Sequence, residues 1–428
     1  RVEYNYSNKY VASASFRRDA SSKFHPDKRW DNFYSLGGAW NIDQERFFKV
    51  KWINQLKLRG SYGSVGNDNL SGYFLYQALY TLGYNNGPQP GMMQASLSSN
   101  DLLWETSTSV DGAVEFAILK NRINGSIEVF QRQSDNLLFD LPLTLTAGVD
   151  SRNVNFGSMR NRGVELQIAG DVVKTKKLKW NVNVNWTSFK NTILTLPAQY
   201  EGRVSGTKKY TVGNSLYEFW TRQWYGVDSE TGNDLYWANN TTATTAFVNK
   251  RGDTVTTSTA NARYAYSGSA IPDFYGSINN RISYKKFSLD FLFMYQVGGK
   301  TFDNDYQSLM YPGTYGRALH KDALTRWQRP GDITNVPRRQ LDVTPVDSDR
   351  WMVDATYLSL RTLSLTYNLP KKYASKAGMQ NARIYLSGEN LFITSKRKGL
   401  DPTQTYTGSP SYTYPPARVV SLGVNVTL

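Results

Sequence analysis

Residues Arg418–Leu428 read Arg-Val-Val-Ser-Leu-Gly-Val-Asn-Val-Thr-Leu, and from Val420 onward they alternate without a break. Val420, Leu422, Val424, Val426 and Leu428 fall on one side, Ser421, Gly423, Asn425 and Thr427 on the other. A strand turns successive side chains to opposite faces, so the segment is a ribbon with one apolar and one polar face. The pattern recurs about a dozen times along the chain, often with Asn or small polar residues where a soluble core would place a second apolar layer. An apolar outside and a wet inside describe a β-barrel in a lipid bilayer.

Composition agrees. Of 428 residues only 40% are hydrophobic and the mean hydropathy is −0.52, yet 14% are aromatic, with 29 Tyr and 11 Trp. Disordered chains lack such aromatics. No run approaches the ~18 consecutive apolar residues of a membrane helix, which excludes a helical membrane protein, whereas a barrel strand needs only about five apolar residues. There are no cysteines and 2 histidines, His25 and His320, so disulfides, Cys-rich zinc sites and thiol catalysis are excluded. Neither histidine has a nucleophile motif nearby, and no catalytic residue is expected. The net charge of +15 is scattered rather than massed on one element, which speaks against nucleic acid; it reads first as a charge that an acidic portion of a longer chain would balance, and second as attraction to anionic lipopolysaccharide or an acidic ligand. The chain starts at Arg1 with no initiator Met or leader, and is expected to be part of a longer one.

Alternation and turn signals predict thirteen strands, near 1–6, 9–18, 31–42, 55–64, 104–118, 122–136, 161–172, 178–189, 273–284, 287–296, 351–367, 381–390 and 417–428. Ser7–Asn8, Lys120–Asn121, Lys174–Lys177 and Lys285–Lys286 read as tight hairpin turns. Long loops rich in Gly, Pro, Asn and Tyr are expected near 65–103, 137–160, 190–272, 297–350 and 391–416. Bacterial outer-membrane barrels have short periplasmic turns and long outer loops, so the alternation orients the strands. It places Val182, Val184 and Phe291 against lipid, and Asn183 and Asp290 inside. Barrels of this kind have even strand numbers, so the odd count puts the remaining strands before Arg1.

Several segments in order resemble one family. They are Ala14–Phe24 (ASFRRDASSKF), Leu56–Asn67 (LKLRGSYGSVGN), Asn161–Leu166 (NRGVEL), Asp354–Pro370 (DATYLSLRTLSLTYNLP) and Ala382–Thr403 (ARIYLSGENLFITSKRKGLDPT). Together they resemble the SusC/RagA-like TonB-dependent outer-membrane transporters of Bacteroidetes-type bacteria, across essentially residues 1–428. The resemblance implies an all-β transmembrane antiparallel barrel of about 22 strands, the last thirteen or so present here, in the bacterial outer membrane. It implies an N-terminal plug and TonB box, neither found in this chain. It also implies a SusD-like surface lipoprotein, coupling to TonB–ExbB–ExbD, and a glycan or peptide cargo. Such barrels usually end in an aromatic residue; this chain ends in Leu428.

Other motifs carry less. Gly298-Gly299-Lys300-Thr301 lacks the earlier glycine and following helix of a phosphate loop, and Arg251-Gly252-Asp253 is a chance-level tripeptide. Asp228, Glu230 and Asp234 are carboxylates of the kind loop Ca²⁺ takes, but Gly226–Tyr236 reads better as a hairpin with Thr231–Gly232 at its tip. No cofactor or metal site is expected beyond that loop Ca²⁺ candidate. The serious candidates are rings in the long loops, with Tyr80, Tyr84, Trp220, Trp224, Tyr315 and Tyr412 as the substrate-contacting set. Flat rings stack on sugars or peptide side chains; they also pack loops together or form an interfacial girdle. The expected function is TonB-dependent import of oligosaccharides or oligopeptides. The alternatives are a receptor for a siderophore or other metal chelate, and a soluble all-β surface glycan-binding protein.

Overall fold

In the computed structural model, residues 1–70, 72–310, 315–341, 345–410 and 414–428 are described. Thirteen long strands carry the fold: β1 Val2–Tyr6, β2 Tyr10–Ala20, β3 Trp30–Asn41, β4 Ile53–Asn67, β5 Glu105–Ile118, β6 Ile123–Asp135, β7 Ser158–Lys174, β8 Leu178–Thr195, β9 Phe274–Tyr284, β10 Phe287–Val297, β11 Tyr357–Asn368, β12 Asn381–Ser395 and β13 Val419–Thr427. All thirteen expected strands are present. No described helix is long and apolar enough to cross a membrane.

The chain forms two units. The first comprises Arg1–Lys174, Trp180–Glu201 and Thr211–Asn214; the second comprises Thr175–Lys179, Gly202–Tyr210 and Ser215–Leu428. In the first, β1 to β8 lie side by side in sequence order. Residues directly opposed in an antiparallel pair share a face, so the register can be read across the sheet. Trp40, Leu58, Val114, Ile127 and Leu166 form one continuous apolar row across β3 to β7. One residue along, on the other face, Arg59 lies in a charged row. Its Nε is 2.7 Å from Glu115, its Nη1 3.3 Å from Asp111 and its Nη2 2.5 Å from Glu128, while Lys57 reaches Glu115 at 3.2 Å. One face suits hydrocarbon and the other is a web of charge.

The second unit repeats the design in β9 to β13. Ile282, Leu289, Leu365, Leu386 and Leu422 align in one row, and Tyr284, Phe287, Tyr367, Ile384 and Val424 in the next. Between them, on the opposite face, run Ser283, Ser288, Thr366, Tyr385 and Gly423. Phe291 is opposite Leu363, and Asp290 pairs with Arg281 on the polar face, as expected.

Rings mark both ends of the apolar face. Tyr6, Tyr10 and Trp40 stack at the tight-turn end of the first unit, Trp30 sits at the other, and Phe16, Tyr34 and Tyr62 lie between them. From Trp40 back to Trp30 is ten residues of β3, about 33 Å along the strand; a tilt of about 40° reduces this to about 25 Å, the height of an outer-membrane apolar band.

The tight turns are where the sequence places them. Ser7, Asn8, Lys120, Asn121 and Lys285 all have positive φ, the conformation two-residue hairpins require. In the first unit the connections at 7–9, 42–52 and 119–122 fall at one end of the strands and those at 21–29, 68–104 and 136–157 at the other; in the second, 285–286 and 369–380 fall at one end and the longer 298–356 and 396–418 at the other.

Some boundaries differ. The expected strand 351–367 is two: Met352–Asp354 pairs with Lys300–Phe302, and β11 starts afresh at Tyr357. The break is an Asx turn, with Asp354 Oδ1 accepting from Thr356 N at 2.9 Å. Within β11 a bulge at Arg361 shifts the apolar residues from Leu358 and Leu360 to Leu363, Leu365 and Tyr367. Strand β8 runs on to Thr195 through residues expected to be loop. Its extension breaks the alternation, with Lys190, Asn191 and Thr192 before the buried Ile193, and is held to β7 by Asn191 to Asn161 and Thr195 to Ser158. The long loops are not featureless either: they contain hairpins and two four-stranded sheets.

Thr244 and Lys286 are both exposed, one in a long connection and one in a tight turn. Cysteines introduced there should label differently in intact cells, with an impermeant maleimide reaching position 244 and not 286. The reverse would invert the orientation.

Candidate functional site

The candidate rings fall in two regions. In the first unit, Leu79–Leu82 pairs with Met92–Ser96 as a hairpin on the loop after β4. Tyr80 and Tyr84 are more than half exposed on it, as are Leu82 and Met92. This region rests on a buried cluster of Phe24, Phe33, Leu70, Leu102 and Trp104. Tyr76, from the same loop, is buried with its ring edge-on to His25 and is a packing residue.

In the second unit the long connections fold together. One sheet pairs Val204–Ser205, Lys208–Lys209, Glu218–Arg222 and Tyr264–Ser269; another pairs Trp224–Val227, Asp234–Trp237, Thr254–Thr256 and Ala246–Val248. Beneath lies a core of Phe219, Ala270, Phe302, Met310, Val336 and Trp351. Gly408 explains how the last loop joins this core. Its carbonyl accepts from Phe302 N at 2.7 Å and Thr301 Oγ1 at 3.0 Å, at φ 74°, and a Cβ there would meet Ala270 Cβ at 2.6 Å. Only glycine fits.

Trp220 and Trp224 are half-buried and occupied. Lys209 Nζ sits 3.9 Å from the Trp220 ring centre, and Tyr264 stacks on the same indole at 6.2 Å and 13°. Tyr266 meets it edge-on at 4.8 Å. Trp224 donates Nε1–H to Asp234 at 2.9 Å and has the Arg350 guanidinium 4.8 Å from its ring. The two indoles therefore belong to different sheets, each packed against its own neighbours. The more open rings beside them are Tyr264 and Tyr266, which sequence reasoning missed although both lie in the Tyr-rich end of the same loop. Tyr315 extends into solvent at 94% exposure. Tyr412 lies outside the described residues.

The titratable groups are likewise committed. Asp228 accepts from Glu230 N and Thr231 Oγ1 within its own turn, Glu230 pairs with Lys250 at 2.6 Å, and Asp234 pairs with Arg350 at 3.2 Å. The three carboxylates do not converge, and the hairpin has Thr231–Gly232 at its tip as expected. His25 and His320 each accept from a backbone N–H two residues on, at the start of a short helical turn. Lys208 donates to Tyr217 O at 2.8 Å over the Phe219 ring, and loss of hydration brings its ammonium down to about 7.

Comparison with known proteins adds identity to this geometry. A family profile described as "TonB dependent receptor-like, beta-barrel" matches residues 1–281. TonB-dependent receptor P3 of Formosa agariphila is 27% identical over 464 residues, covering 100% of this chain and 45% of that protein. TonB-dependent receptor SusC of Bacteroides thetaiotaomicron is 26% identical, over 100% of this chain and 43% of its own length. A solved structure of the RagAB peptide transporter superposes with a TM-score of 0.88 at 26% identity, covering 99% of this chain and 46% of the matched one. The chain thus spans about half the length of the relatives it matches.

Proposed function

Because the chain belongs to the TonB-dependent receptor-like β-barrel family of the outer membrane, we propose that it is the loop-bearing part of a TonB-coupled importer of oligosaccharides or oligopeptides. A SusD-like surface lipoprotein covers the long loops, and a TonB–ExbB–ExbD complex draws on a plug. What supports this reading most is the extent of the likeness to a peptide transporter: it takes in the long loops as well as the strands, covering 99% of the chain. No bond is made or broken in this reading. Cargo meets the rings that packing leaves open, namely Tyr80 and Tyr84 on the first-unit hairpin and Tyr264 and Tyr266 above Trp220.

A ring stacked on a ligand contributes on the order of 1 kcal/mol, so a pair of replacements should weaken binding by roughly thirtyfold. Tyr80→Ala with Tyr84→Ala, and separately Tyr264→Ala with Tyr266→Ala, are expected to lower cargo binding and growth on it, with normal amounts of folded protein and co-purifying lipoprotein. Unchanged binding in both pairs, with loss on Asp228→Asn, would replace stacking by recognition of a metal or charge.

A further inference from the structure

We propose that the tight-turn end of the second unit is a lysine rim that holds anionic phospholipid headgroups of the periplasmic leaflet.

Lysines far apart in the sequence meet there. Lys176 and Lys177 lie on one turn, Lys285 and Lys286 on the next, and Lys371, Lys372 and Lys376 on the connection after β11. Backbone hydrogen bonds join the three connections. Lys285 N donates to Lys177 O at 3.1 Å, and Asn368 N, at the end of β11, donates to Lys286 O at 2.9 Å. The third connection opens with a short helix, Lys371–Lys376, which buries Ala374 and leaves its lysines exposed. All seven lysines are exposed, and among the described residues none of them is ion-paired. Segments 175–179, 285–286 and 369–380 contain no Asp or Glu. The long connections of the same unit are built differently: they mix both signs and pair them, as in Lys250 with Glu230, Lys300 with Asp354 and Arg397 with Asp303. Like charges gathered without counter-charges repel, so the rim gains from anions supplied by its surroundings.

The position of the rim against the lipid band names the anion. The last row of the apolar face, Tyr284, Phe287, Tyr367, Ile384 and Val424, stands directly at the turns, with Phe287 and Tyr367 in contact at 4.7 Å. Rings in a barrel mark the level where hydrocarbon gives way to headgroups. Lys285 and Lys286 are the two residues between Tyr284 and Phe287, and Lys285 Nζ lies 5.3 Å from the Tyr284 ring centre. Tyr373 presents a further exposed ring beside Lys371 and Lys372. A lysine stem lies along apolar surface while its ammonium reaches outward to phosphate. Tight turns of outer-membrane barrels face the periplasm, so the phosphates at this level are those of phospholipid rather than lipopolysaccharide. The bilayer holds them against the rim, whereas an acidic protein would have to be recruited.

The test uses the full-length protein, stripped of lipid in a neutral detergent and given phosphatidylglycerol and phosphatidylcholine in equal amounts. Native mass spectrometry counts the molecules of each that stay bound, and phosphatidylglycerol should be retained in preference. A lysine at an anionic surface contributes roughly fivefold, so Lys285→Gln with Lys286→Gln should lower the ratio of the two lipids by about five- to thirty-fold. Lys285→Arg with Lys286→Arg should keep the ratio. Lys250→Gln with Lys321→Gln removes the same charge from the long connections and should also leave it unchanged. Only exposed side chains are altered, so all these variants should show the parent's heat-modifiable migration. Equal retention of the two lipids, or equal loss in both Gln pairs, would overturn the proposal. So would lipopolysaccharide that displaces phosphatidylglycerol at equal concentration, or an acidic protein that is lost from the Lys285→Gln, Lys286→Gln variant while the lipid ratio stays.

Discussion

Phe291→Arg should cut the yield of folded protein in the outer membrane sharply, whereas Ser364→Arg should leave it near the parent level. The two positions are on opposite faces of neighbouring strands. Phe291 is in register with Leu363 on the apolar face, and Ser364 is opposite Asp290 on the polar one. An arginine near the bilayer midplane costs about 2–4 kcal/mol on the lipid side of a barrel and much less inside. At position 364 it would also gain a carboxylate neighbour. Val184→Arg should behave as Phe291→Arg does, because Val184 shares an apolar furrow with Ile123, Ile168 and Val182. Heat-modifiable migration of membrane extracts reads the folded fraction directly. If position 364 proved the damaging one, the side-chain register would be wrong by one residue throughout the second unit.

Arg350→Met is the second large effect, and it acts on the loops rather than on the strands. Arg350 is nearly buried and joins Asp234 at 3.2 Å, with indoles on either side. Burial pushes the Asp234 carboxyl up and the Arg350 guanidinium down, so each is already strained in its charged form despite the other. Removing one partner of a buried pair costs about 3–5 kcal/mol because the other is left unanswered; the partial exposure of Asp234 points to the lower end. Replacing both removes that penalty. Arg350→Met should therefore speed hydrogen exchange across residues 218–237 and 345–354, and Arg350→Met with Asp234→Leu should restore much of the protection. A double variant as labile as the single one would show that the guanidinium's stacking between indoles matters more than its charge.

The strands were legible in the sequence because lipid imposes a one-residue alternation that no loop needs to keep. Trp180, Val182, Val184 and Trp186 against Asn181, Asn183 and Asn185 could be little else. Legibility failed where that pressure stops. The end of β8 leaves the apolar band, loses its alternation and reads as loop, although its backbone goes on pairing. The split at Asp354 is set by an Asx turn, a local bond that periodicity does not register. A signal was present for the bulge at Arg361, since the leucines change from even to odd numbers there. For the candidate rings, sequence places them in the long loops but does not show their accessibility. Whether Trp220 is open or roofed depends on Lys209, eleven residues before it, and on Tyr264, forty-four residues after it, and no short window contains that pairing.

The clamp at Gly408 and the core around Phe219 and Phe302 have a thermodynamic consequence. Ordering a free loop costs roughly 1–2 kcal/mol for each residue fixed, so no cargo whose contacts contribute about 1 kcal/mol apiece could organise connections of this length on arrival. The ordering is done once, when the chain folds. On the proposed import reading, capture then needs little rearrangement, which favours fast association and a modest entropic penalty.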